Sequence, residues 1–212
     1  MKRKLLVTSA ASCVLGATLL AGPFTARADE APDMVAPYAT TPAPVVDEML
    51  LLARVGPDDF VVDLGSGDGR VVITAVAKFN ARGGFGVDIE ESLVTYANAK
   101  AQEVGVADRA KFYLRDMFKT DIREASVVTV YLLPRGMNKL RSKLLAELKP
   151  GTRVVAHDYQ FQGWPVERIV SFDVPEKNDY TGRRNTALYL YIVPTPGVPA
   201  VSRRPTAIVP GG

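Results

Sequence analysis

The sequence predicts an α/β protein: a seven-stranded sheet, mostly parallel, with an antiparallel terminal strand and helices on its faces. Three observations predict it. Short apolar runs alternate with helical patterns between residues 44 and 156, and parallel neighbours in one sheet need crossover connections of fixed hand. A glycine-rich segment, Gly65-Ser66-Gly67-Asp68-Gly69, follows the first apolar run directly, at the turn where doubly wound sheets take ligands. After residue 156 the alternation stops. Two apolar runs at 166–174 and 186–193 are joined only by a polar stretch around Asn178-Asp179-Tyr180-Thr181-Gly182, which reads as an antiparallel hairpin.

The first helix is expected over 44–54, where Val45, Val46, Met49 and Leu52 or Ala53 recur at helical spacing. Asp47 and Glu48 sit early in it, where the helix dipole favours carboxylates. Gly56-Pro57-Asp58-Asp59 is a turn. The apolar run 60–64 suits a buried strand, and 70–79 a helix packed on the sheet. A second strand over 83–87 ends at Asp88. The helix over 91–104 is the clearest: Leu93, Tyr96, Ala97, Lys100, Ala101 and Val104 share a face, and Gly105 stops it. Strands follow over 111–114, ending at Arg115-Asp116, and over 127–133. Leu140, Leu144, Leu145 and Leu148 mark a helix terminated by Lys149-Pro150-Gly151, and the fifth strand, 152–156, ends at His157-Asp158. This reads as five alternating strand–helix units.

Residues 1–28 have the three parts of an export signal: a basic start at Lys2-Arg3-Lys4, an uncharged apolar run over 5–21, and Ala26-Arg27-Ala28 as a cleavage site. The expected location is therefore periplasmic or extracellular, with a retained membrane anchor as the alternative. Lys2-Arg3-Lys4-Leu5-Leu6 only loosely resembles a twin-arginine signal, because paired arginines are missing. A Pro/Ala-rich arm (29–44), the folded domain (45–193) and a disordered Pro-rich tail (194–212) complete the organisation.

The chain has 26 basic and 23 acidic residues. Four of the basic ones, Lys2, Arg3, Lys4 and Arg27, lie in the leader, leaving 22 against 23 and a formal charge near −1. Charge therefore indicates no nucleic-acid partner. Cys13 is the one cysteine and lies in the leader, and His157 is the one histidine. Disulfides, thiolate chemistry and multi-histidine metal centres are excluded, and no metal is expected.

The spacing of the loop is G-x-G-x-G, unlike the G-x-G-x-x-G of a pyrophosphate cradle. Gly65 and Gly67 allow a tight turn and close approach of the backbone to a ligand, with Ser66 between them. Asp63, at the end of the first strand, would repel a pyrophosphate but attract an ammonium. Asp88, about 20 residues on, is placed to take ribose hydroxyls. Asp116 ends the third strand, where it can accept from an adenine amino group, with Met117 and Phe118 to pack on the ring. The ligand this describes is S-adenosyl-L-methionine (SAM). The bland alternative is a set of turn glycines and solvated acids. Asp68 could cap the following helix, and Arg70 could be a surface residue.

At these residues the chain resembles the class I SAM-dependent methyltransferases, whose seven-stranded sheet is Rossmann-like; the resemblance covers nearly all of residues 38–193. Pro37-Tyr38-Ala39-Thr40-Thr41-Pro42, Asp63-Leu64-Gly65-Ser66-Gly67-Asp68-Gly69-Arg70 and Val130-Tyr131-Leu132-Leu133-Pro134 are similar to one branch of that family. That branch includes bacterial proteins of unassigned substrate and mitochondrial protein-lysine methyltransferases acting on an ADP/ATP carrier or the c-ring protein of ATP synthase. The resemblance implies SAM as cofactor and a methyl acceptor that could be a protein lysine. In that branch the arm commonly reads P-[FY]-V-P-[ST]-P, and here Ala39 and Thr40 replace Val and Pro.

Methyl transfer needs an acceptor aligned with the methyl and able to lose a proton. The fourth strand ends in Tyr131-Leu132-Leu133-Pro134, without the Asn-Pro-Pro-Tyr of amide and DNA methylation. Tyr131 could line an acceptor slot, with Pro134 at its end, or could pack in the sheet. Tyr38 and Thr40 could close over the cofactor or belong to a loose linker. His157 could be a general base or simply close the sheet. Two other functions compete: an exported, non-catalytic SAM-binding protein, suggested by the export signal and the altered arm, and a nicotinamide oxidoreductase, which the glycine spacing and Asp63 disfavour.

Overall fold

The computed structural model describes residues 40–177, 184–197 and 206–208. The expected export signal, most of the arm including Tyr38, and most of the tail lie outside the described residues. In chain order the elements are α1 (Ala43–Leu52), β1 (Phe60–Leu64), α2 (Arg70–Ala77), β2 (Gly83–Asp88), α3 (Glu91–Val104) and β3 (Ala110–Leu114). Then come β4 (Val127–Val130), α4 (Pro134–Glu147), β5 (Arg153–His157), β6 (Arg168–Asp173), a 3-10 turn (Pro175–Lys177), β7 (Asn185–Ile192) and β8 (Thr206–Ile208).

The sheet order is β3-β2-β1-β4-β5-β7-β6-β8. Strands β1 to β5 pair in parallel, and β7 runs antiparallel to both β5 and β6. The chain therefore has the expected seven strands and the expected hairpin. The eighth strand is three residues long, pairs in parallel with β6, and comes from the segment expected to be irregular.

Period-2 alternation sorts the strand residues into two cores. Val61, Val127 and Val155 face a cluster with α1, α2 and α3, while Val62, Val128 and Val154 face one with α4. Both faces of the central strands are covered, which is why these strands read as unbroken apolar runs. Asp59, Ser126 and Arg153 tie the base of β1 to β4 and β5: Ser126 Oγ donates to Asp59 at 2.7 Å, and the Arg153 guanidinium also donates to Asp59.

Four details depart from the sequence reading. No helix follows β3 or β5, so the strand–helix alternation is incomplete. The β3–β4 connection is made of turns, and a row of rings, Phe60, Phe85 and Tyr113, lies beneath it at centroid spacings of 6.0 and 5.9 Å. The buried stripe of α3 is Val94, Ala97 and Ala101, with Tyr96 and Val104 exposed. Helix α1 starts at Ala43, which carries Asp47 past the first turn; it meets the Lys78 ammonium at 2.5 Å instead. Finally, β4 stops at Val130, so Tyr131, Leu132 and Leu133 leave the sheet before α4 begins at Pro134. Among the described residues no helix is long and apolar enough to cross a membrane.

Candidate active site

The site lies beyond the carboxyl ends of β1, β2, β4 and β5, where a parallel sheet turns its loops to one side. Gly65 and Ser66 both donate their amides to the Val87 carbonyl at 2.9 Å, which draws the loop after β1 against β2. Gly67 has a φ of +51°, and its amide donates to Asp88 Oδ2 at 2.8 Å. Asp88 Oδ1 accepts from the Glu90 amide at 3.0 Å. The two loops are therefore one construction, with the Asp88 carboxylate between them.

Asp63 is buried at the floor, where Thr129 of β4 donates to Oδ1 at 2.6 Å. Burial pushes its carboxyl up to about 7, against the Thr129 hydrogen bond, and the charges of Asp88 and Asp68 push the same way. Asp68 is neutralised by Arg70, which grips it through Nε at 2.8 and 3.0 Å. Among the described residues neither Asp63 nor Asp88 makes an ion pair. The Ser66 hydroxyl is buried and has no hydrogen-bond partner among the described residues. Paired acids and an unsatisfied hydroxyl suit a ligand that brings a cation and hydroxyl groups. Further along the rim, Asp116 Oδ1 accepts from the Phe118 amide at 2.8 Å. Met117 packs within the α4-side core, near Gly65: a Cβ built on Gly65 would lie 3.4 Å from Met117 Cε.

On the far side, the ends of β4 and β5 meet the start of β7. The Tyr131 ring stacks on the His157 ring, with centroids 4.0 Å apart, and its hydroxyl donates to Asp158 Oδ2 at 3.3 Å. Lys177 reaches the same oxygen at 2.5 Å, and its ammonium also donates to Asn185 O at 3.1 Å and Thr186 Oγ1 at 3.0 Å. Asp158 Oδ1 accepts from the Thr186 hydroxyl at 3.0 Å and the Ala187 amide at 3.2 Å. The one hydroxyl proton of Thr186 is thereby committed, so Thr186 accepts from His157 Nε2 at 2.7 Å. Nδ1 is then the acceptor for Thr41, at the outer limit of 3.5 Å.

This network corrects the reading of His157 as a general base. The ring is 1% exposed, and both nitrogens are engaged. Burial holds its pKa down at about 4; Asp158 opposes this and Lys177 adds to it. The imidazole is neutral at pH 7 and has no lone pair to offer an incoming acceptor. Burial disfavours the Asp158 charge, but His157, Lys177 and the Ala187 amide together hold its pKa below the ordinary carboxylate value.

Of the arm, Thr40 and Thr41 are described; Arg70 donates to the Thr41 carbonyl at 2.7 Å and so ties the arm's end to the glycine loop. Pro134 is the first residue of α4 and is exposed. Trp164 is a packing residue: it is buried, and its indole donates to Ile192 O at 3.2 Å. Asp158 and Lys177 were not singled out from the sequence. Lys177 joins the site because the 3-10 turn after β6 carries its ammonium to Asp158, and no local motif announces that. Among the described residues no cluster of His, Cys, Asp and Glu could hold a metal ion.

The profile of the ANTKMT methyltransferase domain matches residues 63–168, the stretch that carries the glycine loop, all three strand-end aspartates, Tyr131 and Asp158. The chain belongs to this methyltransferase family. It is a class I SAM-dependent methyltransferase, and its sheet is the Rossmann-like sheet of that class. A protein-lysine N-methyltransferase of Saccharolobus islandicus (strain REY15A) is 41% identical over 157 residues, covering 74% of this chain and 93% of that protein. The adenine nucleotide translocase lysine N-methyltransferase of Mus musculus is 34% identical over 146 residues, covering 65% of this chain; the match spans 63% of the mouse protein. An RNA methyltransferase of Salinibacter ruber, solved with S-adenosyl-L-homocysteine, superposes with a TM-score of 0.67 at 41% identity, covering 78% of this chain and all of that one. For a methyltransferase, the acids of the first wall fit the cofactor: SAM carries an ammonium, a sulfonium and two ribose hydroxyls.

Proposed function

We propose that this methyltransferase acts on the side-chain amine of a protein lysine. The observation that carries the reading is the end of β4, where a half-buried tyrosine hydroxyl, hydrogen-bonded to Asp158, stands where the acceptor enters. A single polar hydroxyl above a ring suits one flexible amine on an aliphatic stem better than a flat amide or base. The name of the Saccharolobus relative supports the same acceptor. The Salinibacter relative is named for RNA; the formal charge near −1 of residues 29–212 weighs against a polyanionic acceptor here.

In this reading Asp63 takes the ammonium of the cofactor, Asp88 the ribose hydroxyls and Asp116 the adenine amino group. Gly65, Ser66 and Gly67 line the methionine end, and Met117 packs on the adenine. SAM supplies an activated methyl on its sulfonium when bound. The chain's own residues bind and orient: the strand-end acids fix the methyl's direction, Arg70 holds the Thr41 carbonyl so that the arm's end, with Thr40, closes the methionine end, and Tyr131 and Pro134 shape the acceptor's approach. The non-catalytic alternative gains no support, because the matched family and the Saccharolobus relative are named as methyltransferases. Export remains part of the proposal, and amino-terminal sequencing of the secreted protein tests it by finding, or failing to find, Asp29 first.

The test is transfer of labelled methyl from SAM by the full chain to a mixture of lysine-bearing proteins and, separately, to RNA. Acid hydrolysis of the protein should release labelled methyllysine, and prior reductive dimethylation of the lysines should abolish it. Label in RNA alone would overturn the lysine reading.

A pH dependence follows from Asp63. Its pKa is about 7 in the unliganded chain, and a bound ammonium lowers it. Binding below pH 7 therefore releases a proton, so affinity falls as pH drops, by at most about tenfold per pH unit, and is level just above 7. Thr129→Val removes a hydrogen bond that favours the charged form, so the inflection should move to higher pH. Titration calorimetry in buffers of different ionisation heat measures both effects; a flat profile between pH 5.5 and 7 would remove Asp63 from the ammonium site.

A further inference from the structure

Asp158 and Lys177 are not among the residues proposed to hold the cofactor, yet their surroundings are closely ordered. Asp158 follows β5 with a φ of +61°, a region a non-glycine residue occupies at a cost of order 1 kcal/mol or more. Its carboxylate collects Lys177, Tyr131, Thr186 and the Ala187 amide. The Lys177 side chain is 4% exposed, and ordering and desolvating a lysine to that extent is costly unless it is paired. The groups around Asp158 come from four elements: Tyr131 after β4, His157 of β5, Lys177 of the turn after β6, and Thr186 with Ala187 of β7.

We infer that the Asp158–Lys177 pair is a charge-neutral clamp that aims the Tyr131 hydroxyl at the acceptor amine, making Asp158 and Lys177 positioning residues for methyl transfer. The inference rests on the lysine reading above and deepens it. An amine attacks only when neutral, with its lone pair on the methyl and its two N–H bonds pointing elsewhere. With its proton given to Asp158, the Tyr131 hydroxyl can only accept from an incoming amine, and in this proposal it takes one of those N–H bonds. A carboxylate alone would hold the incoming lysine as an ammonium, which cannot attack. Lys177 cancels that charge, and Asp158 keeps its grip on Tyr131. In the step itself the N–C bond forms as the C–S bond breaks, S-adenosylhomocysteine leaves neutral, and the methylated ammonium gives its proton to water.

The experiment uses the full chain labelled with 3-fluorotyrosine, saturated with S-adenosylhomocysteine and titrated with n-butylamine as a lysine side-chain probe. The protein has eight tyrosines, and Tyr131→Phe identifies the resonance of interest. That resonance should shift saturably in the wild type and stay still in Asp158→Asn/Lys177→Met, which keeps the site neutral. Should the double variant fail to fold, Asp158→Asn alone is read in its place. In turnover on a single-lysine peptide, Tyr131→Phe and the double variant should each lower kcat about 100-fold, with little change in SAM affinity, and together no further than either alone. Additive losses, or a Tyr131 resonance blind to butylamine, would overturn the clamp. Methyllysine formed while the resonance stays still refutes the clamp and leaves the lysine reading standing. A saturable shift with no methyllysine on any protein refutes the lysine reading and leaves an amine site standing.

Discussion

Asp88→Ala should weaken SAM and S-adenosylhomocysteine binding by at least about 100-fold. The carboxylate has about four lone-pair sites, and two are used by the Gly67 and Glu90 amides. The remaining two are left for the ribose hydroxyls that the proposal gives to Asp88. A hydrogen bond to a charged group contributes about 1.5–3 kcal/mol, so losing two costs about 3 kcal/mol or more, which is over 100-fold in affinity. The change also strips the Gly67 amide of its acceptor and loosens the glycine loop. Asp88→Asn keeps one oxygen as acceptor and should lose less. Calorimetric titration with both ligands measures the loss, and a thermal melt separates it from unfolding. An Asp88→Ala chain that stays folded and binds within threefold of wild type would mean that the ribose lies elsewhere.

The second large effect is on the fold. Gly69→Ala should destabilise the protein by about 3 kcal/mol, the sum of two faults. Gly69 has a φ of +81°, where a Cβ costs roughly 1–2 kcal/mol. The added Cβ would also lie 2.6 Å from Phe112 Cζ and 2.8 Å from Ala97 Cβ. Both neighbours are buried, so the overlap forces α2, α3 and β3 apart, at roughly 1–3 kcal/mol. Gly105→Ala is the control: its φ is +77°, but a Cβ there meets nothing within 4 Å. Urea unfolding should show the Gly69 midpoint well below that of Gly105→Ala, at equal slope. Equal midpoints would mean that Phe112 swings aside without cost.

Much of the fold was legible because its signals are local. Strand β1 and helix α3 match their expected limits residue for residue, since a buried five-residue apolar run and a helix stopped by Gly105 each carry their own boundaries. The missing helix after β3 was not legible: residues 115–126 show no strong periodicity, and their aspartates make turns instead, Asp116 accepting from the Phe118 amide and Asp121 from the Arg123 amide, while Ile122 and Ala125 pack into the α4-side core. The stripe on α3 was misread because Tyr96 and Val104 sit at helical spacing yet have no neighbour to bury them.

The site divides the same way. Asp63, the glycine loop, Asp88 and Asp116 stand at successive strand ends, and strand ends are readable from hydrophobic patterning, so the place of the proposed cofactor residues was determined by the sequence alone. The acceptor wall was not. His157 stayed open between a base and a residue that closes the sheet, because a lone histidine at a strand end has a suitable ordinary pKa; only tertiary structure buries it, fills both nitrogens and lowers that pKa. Asp158 and Lys177 are 19 residues apart, on different elements, and antiparallel β7 supports their pairing by bringing Thr186 against both and the Ala187 amide against Asp158. A cofactor loop is a local piece of backbone and can be read along the chain, whereas a buried charge pair is a long-range contact that no periodicity encodes.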